Sequence, residues 1–221
     1  MPSQEKPAVL SKKDAALAAK ILCKQYKNAN YYLNFKTPLD LLVAAIISAQ
    51  TRDEIVNKIT PALFSRYKRA SDYAAADKEE LSDMIKSVSF ASKKASNIIE
   101  ACKTIESKFN GEVPCDLNAL LLLSGVGRKT ANTIMINAFD RVEGIPVDTW
   151  VIKLAYRIGL SSNKKPDDIE KDLINNIPKE YWGIIAYVLK AHGKALCNKV
   201  PFCSKCQIEA ICLKNGVNRR L

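Results

Sequence analysis

Four cysteines close together near the C-terminus have the spacing of a metal centre. Cys197, Cys203, Cys206 and Cys212 form the pattern Cys-x5-Cys-x2-Cys-x5-Cys. Four thiolates this close can hold either a structural zinc ion or an iron–sulfur cluster. Zinc sites usually pair two short Cys-x2-Cys units, and only one short pair is present here. The wider spacing of the outer two cysteines favours a cluster, but the pattern is compatible with either kind of metal centre.

A glycine-rich turn, LLSGVGRKTA (residues 122–131), separates two predicted helices. Two glycines permit backbone angles that other residues resist, and the exposed amides at the start of the second helix can hold a phosphate. The pattern is that of a helix-hairpin-helix motif, which grips the nucleic-acid backbone without reading sequence. A simple tight turn between packed helices is the other interpretation. We assign Gly125, Gly127, Arg128 and Thr130 to DNA binding.

Lys129 and Asp148 are a candidate amine and a candidate carboxylate for chemistry on a sugar. A lysine at a helix N-terminus beside an arginine lies in positive potential, which favours the neutral amine that can form a Schiff base. Asp148 precedes a predicted helix, where the ordinary role of an aspartate is the N-cap. A carboxylate there could also stabilise a positively charged sugar. Spacing alone does not show whether Lys129 binds a phosphate or acts as a nucleophile. It also does not show whether Asp148 caps the helix or takes part in catalysis.

The composition of the 221-residue chain narrows the classes of function. The chain has 34 Lys+Arg against 23 Asp+Glu, a net charge of +11, which favours an anionic partner, nucleic acid before membrane. Residues 190–221 contribute seven Lys and Arg against one Glu, a net of +6. The sequence has one histidine, His192, which disfavours a Ser-His-Asp triad and a zinc site with several histidines.

Neither a membrane span nor a secretion signal is predicted. The longest apolar stretch, residues 41–49, is about half the roughly 18–20 residues that a span needs. The N-terminal segment MPSQEKPAVLSKKD mixes acids and bases and lacks an apolar core. Seven cysteines in such a chain suit thiols and metal ligands better than disulfides. We expect an intracellular protein of the cytoplasm or nucleoid that does not bind membranes.

Helical patterns cover most of the chain, and alternating strand patterns are nearly absent. Thr37, Pro38 and Asp40 have the order of an N-cap, a first-turn proline and a first-turn acid. The apolar residues 41–49 that follow predict a helix buried nearly all round. Ser92 is the predicted cap of a later helix. At least nine helices are predicted, which begin near residues 11, 37, 77, 92, 116, 128, 150, 167 and 181.

Several separated segments together resemble the endonuclease III branch of the helix-hairpin-helix DNA glycosylase superfamily. These are LLVAAIISAQTRDEIVNK, ASNIIEACKTIESKFNGEVP, LLSGVGRKTANTIMINAF with IPVDTW after it, and the cysteine cluster after His192 and Gly193. The similarity runs in order over most of residues 35–212, which chance does not explain.

The resemblance implies an all-α fold with two lobes. A six-helix barrel lobe with the helix-hairpin-helix would span residues 31–141. An iron–sulfur cluster lobe would combine residues 1–30 with residues 142–221, with the four C-terminal cysteines on a [4Fe–4S] cluster that shapes a DNA-binding loop. DNA would lie across the cleft between the lobes. We expect a monomer.

The functional residues of the family fall on matching positions in this chain. The lysine of the GVGRKT motif is the Schiff-base nucleophile, here Lys129. The aspartate of the V-D-T motif, here Asp148, supports the charge of the transition state and helps to activate the amine. The glutamine of the S-A-Q motif, which fills the gap left by the extruded nucleotide, is Gln50. The residue that wedges into the opposite strand falls near Phe90.

The activity implied is that of a bifunctional DNA glycosylase and abasic-site lyase of base excision repair. Its partner would be double-stranded DNA with damaged bases, such as oxidised pyrimidines of the thymine glycol type, or with abasic sites. The damaged base is flipped out, Lys129 attacks C1′, and β-elimination breaks the strand. One alternative is a monofunctional mismatch thymine or uracil glycosylase, which Lys129 argues against. The other is a non-catalytic iron–sulfur DNA-binding protein, which would not need Lys129, Asp148 and Gln50 together.

Three features depart from the family pattern. Five residues separate the first two cluster cysteines, where the family commonly has six, so the path of the loop 198–202 is in question. Trp150 stands where many members have histidine after V-D-T, so contacts to the DNA backbone are expected to differ. Phe90 lies in Ser-Phe-Ala where Gly-Leu-Tyr is frequent. This predicts an aromatic wedge, with packing in the core as the alternative.

Overall fold

A computed structural model describes residues 7–221, and every regular element in that range is a helix. The predicted all-α class is confirmed. The first six residues lie outside the described residues. They belong to the predicted cluster lobe and to the N-terminal segment in which no secretion signal is predicted. Between residues 7 and 221, no helix is both long and apolar enough to cross a membrane.

Residues 7–221 form eleven α-helices and two short 3-10 helices. The α-helices are α1 (Lys12–Gln25), α2 (Pro38–Ser48), α3 (Asp53–Arg66), α4 (Ala70–Ala74), α5 (Lys78–Met84), α6 (Ala91–Phe109), α7 (Leu117–Leu121), α8 (Arg128–Phe139), α9 (Thr149–Ile158), α10 (Pro166–Asn176) and α11 (Trp182–Ala195), and the 3-10 helices are Lys179–Tyr181 and Cys203–Lys205.

Side-chain caps begin several of these helices where the sequence predicts them. Thr37 Oγ1 accepts from the Asp40 N–H at 3.1 Å, and Asp40 accepts from the Thr37 N–H at 3.2 Å. This reciprocal pair satisfies two amides that a helix start leaves without partners. Ser11, Asp77 and Asp116 cap α1, α5 and α7 in the same way, each with one side-chain oxygen.

The prediction that Ser92 caps a helix is wrong. Helix α6 begins at Ala91, and its N-cap is Phe90, whose side chain makes no capping hydrogen bond. Two helices, α3 and α4, were not among those predicted. Helix α3 contains Pro61 in its interior, a residue that normally argues against a helix, and α4 has only five residues.

The chain folds as two compact units. The central unit is Tyr32–Glu143, and the split unit combines the chain up to Tyr31 with Gly144–Leu221. Helix α2 forms the middle of the central unit, since all seven residues Leu41–Ile47 are buried. It contacts α3, α6 and α8, while α4 and α5 pack on α6. The apolar run of α2 thus positions the two helices, α6 and α8, that carry candidate site residues.

The split unit has its own core, built from α1, α9, α10 and α11. Helix α1 contacts α10 and α11, and α9 contacts α10 and α11. A close approach joins α9 to α11, because a Cβ on Gly193 would lie 2.4 Å from Cε3 of Trp150. Glycine is therefore required at this position by space. This packing holds the helix that begins at Asp148 and the helix that leads into the cysteine segment.

Candidate functional site

The glycine-rich turn between α7 and α8 is held in one backbone conformation. Gly125 has φ +80, in the left-handed region that favours glycine. A Cβ on Gly125 would lie 3.0 Å from Cβ and Nδ2 of Asn97 on α6. The Ser124 hydroxyl donates to Oδ1 of the same Asn97 at 3.2 Å. The turn is thus fixed both by its own backbone and by a side chain of α6.

Lys129 lies in the first turn of α8, whose N-cap is Gly127. Gly127 cannot cap the helix with a side chain, and no other described atom lies within 4 Å of where its Cβ would be. Arg128 is exposed, while Lys129 and Thr130 are half-buried. The helix start therefore combines an N-cap without a side chain, open space beside Gly127 and two cationic residues, which are features of an anion-binding helix terminus.

Gln50 is displayed by a strained turn after α2. Ala49 has φ −56 and ψ 119, Gln50 has φ 54, and the Thr51 N–H donates to the Ser48 carbonyl at 3.0 Å. These are the features of a type II turn, which favours glycine or asparagine where Gln50 stands. A left-handed residue of another type costs about 1–3 kcal/mol. Gln50 is exposed, so the turn holds its side chain at the surface at an energetic cost.

Phe90 has a comparable backbone conformation and is also exposed. Its φ is 60 and its ψ is 37, and 67% of its surface is accessible to solvent. The alternative of core packing is excluded for this residue. An exposed aromatic ring on a left-handed backbone is unfavourable for the isolated fold, and such strain concentrates at functional positions.

Lys94 on α6 was not singled out from the sequence, yet it contacts the turn that carries Gln50. The side chain of Lys94 is 5% exposed. Its Nζ donates to the carbonyls of Ile47 and Ala49, each at 2.6 Å, and to Thr51 Oγ1 at 2.9 Å. Burial lowers the pKa of the Lys94 amine. One signal was present in the sequence, since Lys94 falls on the helical face that otherwise carries buried residues of α6.

Asp148 has the capping role in the split unit. Its Oδ1 accepts from the Val151 N–H at 2.9 Å, and it is the N-cap of α9. A carboxylate has a second oxygen, so the cap leaves part of the group available for other chemistry. Trp150, two residues on, is half-buried against Gly193, and the amine of Lys153 lies 4.9 Å from the centre of its ring. Trp150, which departs from the family pattern, thus packs against other residues of the split unit.

The four C-terminal cysteines line a single cavity in the split unit. His192 and Arg157 line the same cavity. His192 is almost fully buried, with Nδ1 3.1 Å from the Tyr26 hydroxyl and Nε2 3.8 Å from Cys206 Sγ. Burial lowers the pKa of His192 to about 4, so the imidazole is neutral near neutral pH. The one histidine of the chain is therefore a buried neighbour of the thiols and not an exposed acid or base.

The residues around the cavity suit one kind of metal centre better than another. Among residues 7–221, no group of three or more His, Cys, Asp or Glu side chains is arranged to hold a metal ion. All four cysteines nevertheless line the cavity. A four-iron cluster binds each thiolate through a different iron atom, so its ligands surround a volume and need not converge on one point. The arrangement therefore fits a cluster better than a single zinc ion.

The pKa values of the thiols show that they lie near one another. The pKa of Cys212 is raised to about 11, chiefly by burial and also by the charges of Cys197 and Cys206. Burial also raises the pKa of Cys206, with Cys197 and Cys203 adding to the effect. Without a cation, the raised pKa values keep Cys206 and Cys212 protonated at neutral pH. A bound metal centre would reverse this, because a coordinating thiol is deprotonated.

The five-residue loop between the first two cysteines follows a defined path. The Phe202 N–H donates to the Leu196 carbonyl at 2.9 Å, which closes the loop. Arg157 Nη1 donates to the carbonyls of Cys197 and Asn198. The shortened spacing is therefore accommodated by bonds at both ends of the loop. Like Lys94, Arg157 was not predicted from the sequence to support the candidate site.

The structure groups the predicted site residues by unit. Gly125, Gly127, Arg128, Lys129 and Thr130 form one turn in the central unit. Gln50 and Phe90 lie in the same unit. The buried Lys94 contacts the turn of Gln50 through its side chain and lies in the first turn of α6, which follows Phe90. The four cysteines and Asp148 belong to the split unit.

Comparison with known proteins gives consistent matches. Residues 43–179 match the family described as HhH-GPD superfamily base excision DNA repair protein. The chain is 44% identical to endonuclease III of Synechocystis sp., over 87% of this chain and 88% of that protein. It is 39% identical to endonuclease III of Bacillus subtilis, over 85% and 86%. A solved structure of an endonuclease III trapped as a covalent intermediate with DNA is 36% identical, with a TM-score of 0.88 over 93% of this chain and 97% of that chain.

The two glycines of the turn make a matched pair for a stability test. We expect Gly125→Ser to lower the free energy of unfolding by about 1–2 kcal/mol, because a residue with a Cβ resists the left-handed backbone and would crowd Asn97. Gly127→Ser should be neutral or stabilising, since Gly127 has space around it and serine is a favoured N-cap. Chemical denaturation of both variants measures this difference. Equal losses at the two positions would contradict the account of the turn.

Proposed function

Because this chain belongs to the endonuclease III family of base excision DNA repair proteins, and is thus a DNA glycosylase, we propose that it is also an abasic-site lyase. We propose that it removes oxidised pyrimidines of the thymine glycol type from double-stranded DNA and then breaks the strand at the resulting site. The observation that carries the proposal is the position of Lys129, in the first turn of α8 directly after the Gly125–Gly127 turn.

A nucleophile is needed to explain a covalent enzyme–DNA species of the kind trapped in the similar endonuclease III structure. An amine can form a Schiff base with a sugar carbon, whereas a monofunctional glycosylase uses water and forms no covalent bond. Lys129 offers such an amine, and a helix N-terminus with an adjacent arginine favours its neutral form. These features support the lyase over the monofunctional alternative.

The proposed reaction proceeds in four steps. The neutral amine of Lys129 attacks C1′ of the damaged nucleotide, and the bond from C1′ to the base breaks as the base leaves with the electron pair and takes a proton. The nitrogen then gives up a proton and forms a double bond to C1′, as the bond from C1′ to O4′ breaks and O4′ takes a proton, which leaves the ring open and an imine between C1′ and Lys129. Loss of a proton from C2′ expels the 3′ phosphate by β-elimination, and water hydrolyses the imine to release Lys129.

Asp148 has two tasks in this proposal. As N-cap it fixes the start of α9 through Oδ1, at 2.9 Å from the Val151 nitrogen. Its remaining carboxylate charge would stabilise positive charge on the sugar as the base departs and would accept a proton from the Lys129 ammonium. The cap needs only a hydrogen-bonding oxygen, whereas the second task needs the negative charge of the ionised carboxylate.

DNA binding is proposed to rest on the turn and on two displayed side chains. The amides at the start of α8, with Arg128, would hold a backbone phosphate without regard to sequence. Gln50 would fill the space vacated by the flipped nucleotide. Phe90 would enter the opposite strand, where stacking of an aromatic ring on a base contributes about 1–3 kcal/mol. The exposed, strained conformations of both residues support these roles.

A [4Fe–4S] cluster is proposed for the cysteine cavity. Cys197, Cys203, Cys206 and Cys212 would hold it, and its chemistry here would be structural, since it ties a basic segment of the chain into one loop. Arg157 supports the same loop by its hydrogen bonds to the carbonyls of Cys197 and Asn198. The bond-breaking steps are assigned to Lys129 and Asp148 alone.

Borohydride trapping tests the lyase directly. We expect wild-type protein with DNA containing thymine glycol or an abasic site to give a covalent complex on reduction, because borohydride reduces the imine to a stable amine. Lys129→Gln should give no complex and no strand cleavage. Gel electrophoresis of the reduced mixture measures both.

Arg128→Gln is the matched control, since it removes the same charge from the neighbouring residue without removing the amine. It should still be trapped, while its DNA affinity falls and the salt dependence of binding weakens by about one phosphate contact. Trapping that persists in Lys129→Gln would refute the assignment of the nucleophile. Base release without any trapping in the wild type would support the monofunctional alternative.

Metal analysis and absorbance test the cluster independently of activity. We expect purified protein to show a broad visible absorbance band with about four iron atoms per chain, as a [4Fe–4S] centre requires. Cys206→Ser should lose most of this absorbance, while Cys115→Ser, which changes a cysteine outside the cavity, should retain it. Colourless protein with one zinc per chain would contradict the cluster and support a zinc site.

A further inference from the structure

Lys94 places a positive charge in the interior of the central unit. It is 5% exposed, and burying a charged group is costly unless polar partners compensate for the lost water. Its three acceptors are the Ile47 and Ala49 carbonyls and Thr51 Oγ1, which match the three donors of an ammonium group. All three donors of this buried ammonium group are satisfied by neutral oxygens, which indicates a specific role for Lys94 in the fold.

The acceptors of Lys94 all belong to the end of α2 and the turn after it. The last four carbonyls of a helix lack donors within the helix, and a cation at the C-terminal end also interacts favourably with the helix dipole. Ile47 lies before Gln50 in the chain and Thr51 directly after it, so the contacts of Lys94 bracket the left-handed residue. The strained turn is thereby held from both sides.

The same residue also connects to Phe90. The Lys94 backbone N–H donates to the Phe90 carbonyl at 3.0 Å, in the first turn of α6. Phe90 has φ 60, and no side chain caps the helix there. One residue thus contacts, through its side chain, the turn of Gln50 and, through its backbone, the left-handed Phe90.

We propose that Lys94 is a positioning residue whose amine joins the turn of Gln50 to the first turn of α6, and so fixes Gln50 relative to Phe90 as the two side chains enter DNA. The proposal rests on the proposed function, because it presumes that these two side chains enter the duplex. Lys94 itself touches neither DNA nor the reacting atoms. Without its amine, the Ile47 and Ala49 carbonyls lose their donor, and the turn relaxes away from the left-handed conformation at Gln50.

Lys94→Met removes the amine and keeps most of the side-chain volume. On duplex DNA with a lesion we expect kcat/KM to fall by about 10²-fold, the order of loss that a displacement of about 1 Å can cause. Fluorescence of 2-aminopurine opposite the lesion should show a weaker change on binding, since the turn of Gln50 is no longer tied to the start of α6 and the two side chains no longer enter the duplex in register. Borohydride trapping on single-stranded DNA with an abasic site should be unchanged, because no opposite strand has to be opened.

Lys93→Met is the matched control. Lys93 is the exposed neighbour of Lys94 on α6, so this variant removes an equal charge from the same helix without disturbing the turn. It should keep duplex activity and the 2-aminopurine response. Loss of duplex activity in Lys93→Met equal to that in Lys94→Met would assign the effect to net charge and overturn the proposal.

A mutant cycle separates positioning from general stability. In a Gln50→Ala/Phe90→Ala background, Lys94→Met should cause little further loss on duplex DNA, because residues that act as one unit are not additive. A full additional loss would overturn the proposal. If Lys94→Met unfolds, as thermal unfolding and loss of single-strand trapping would reveal, Thr51→Val serves instead. It removes one acceptor of the amine and should lower duplex activity while single-strand trapping persists; unchanged duplex activity would overturn the proposal.

These outcomes are distinct from failure of the proposed function. If the wild-type protein traps neither duplex nor single-stranded abasic DNA, the lyase itself is refuted. If the wild type traps both and Lys94→Met is as active as the wild type on duplex DNA, the lyase stands and the positioning role of Lys94 is refuted.

Discussion

The left-handed backbone at Gly125 is the constraint on which the candidate site depends most. With φ +80 and a side chain of Asn97 3.0 Å from the missing Cβ, the turn has one conformation that only glycine accommodates without strain. That conformation sets where α8 begins. The start of α8 in turn places Arg128 and Lys129 in the first turn of the helix, after the N-cap Gly127, which has no side chain to cap it. The backbone at Gly125 therefore determines where Lys129 lies.

Strained backbone is found at two exposed side chains of the central unit. Gln50 and Phe90 both occupy the left-handed region without being glycine or asparagine, and both are exposed. A fold selected for stability alone would relax these residues. Buried Lys94 and its hydrogen bonds supply the stabilisation that keeps the strain in place. In the split unit Arg157 has a comparable role, because it donates hydrogen bonds to two carbonyls of the cysteine loop.

The sequence predicted features that depend on local chemistry. The caps at Thr37 and Asp148 follow from short-range hydrogen bonding, and the buried α2 follows from its apolar run. The cysteine spacing indicated a metal centre, and all four cysteines line one cavity. The left-handed conformations of Gln50 and Phe90 could not be predicted, because neither residue type favours them. Lys94 was missed because a lysine on a helix normally extends into solvent, and its acceptors lie more than forty positions earlier. Helix α3 was missed because Pro61 argues against a helix on local grounds alone.

The central claim is that Lys129 forms the bond to DNA, and the most direct test is to locate that bond. Wild-type protein would be reduced with borohydride on DNA with an abasic site, digested with a protease and a nuclease, and analysed by mass spectrometry. The account predicts the residual sugar mass on Lys129 in the peptide that spans the start of α8. The same mass on another lysine, such as Lys153 or Lys190, would contradict it.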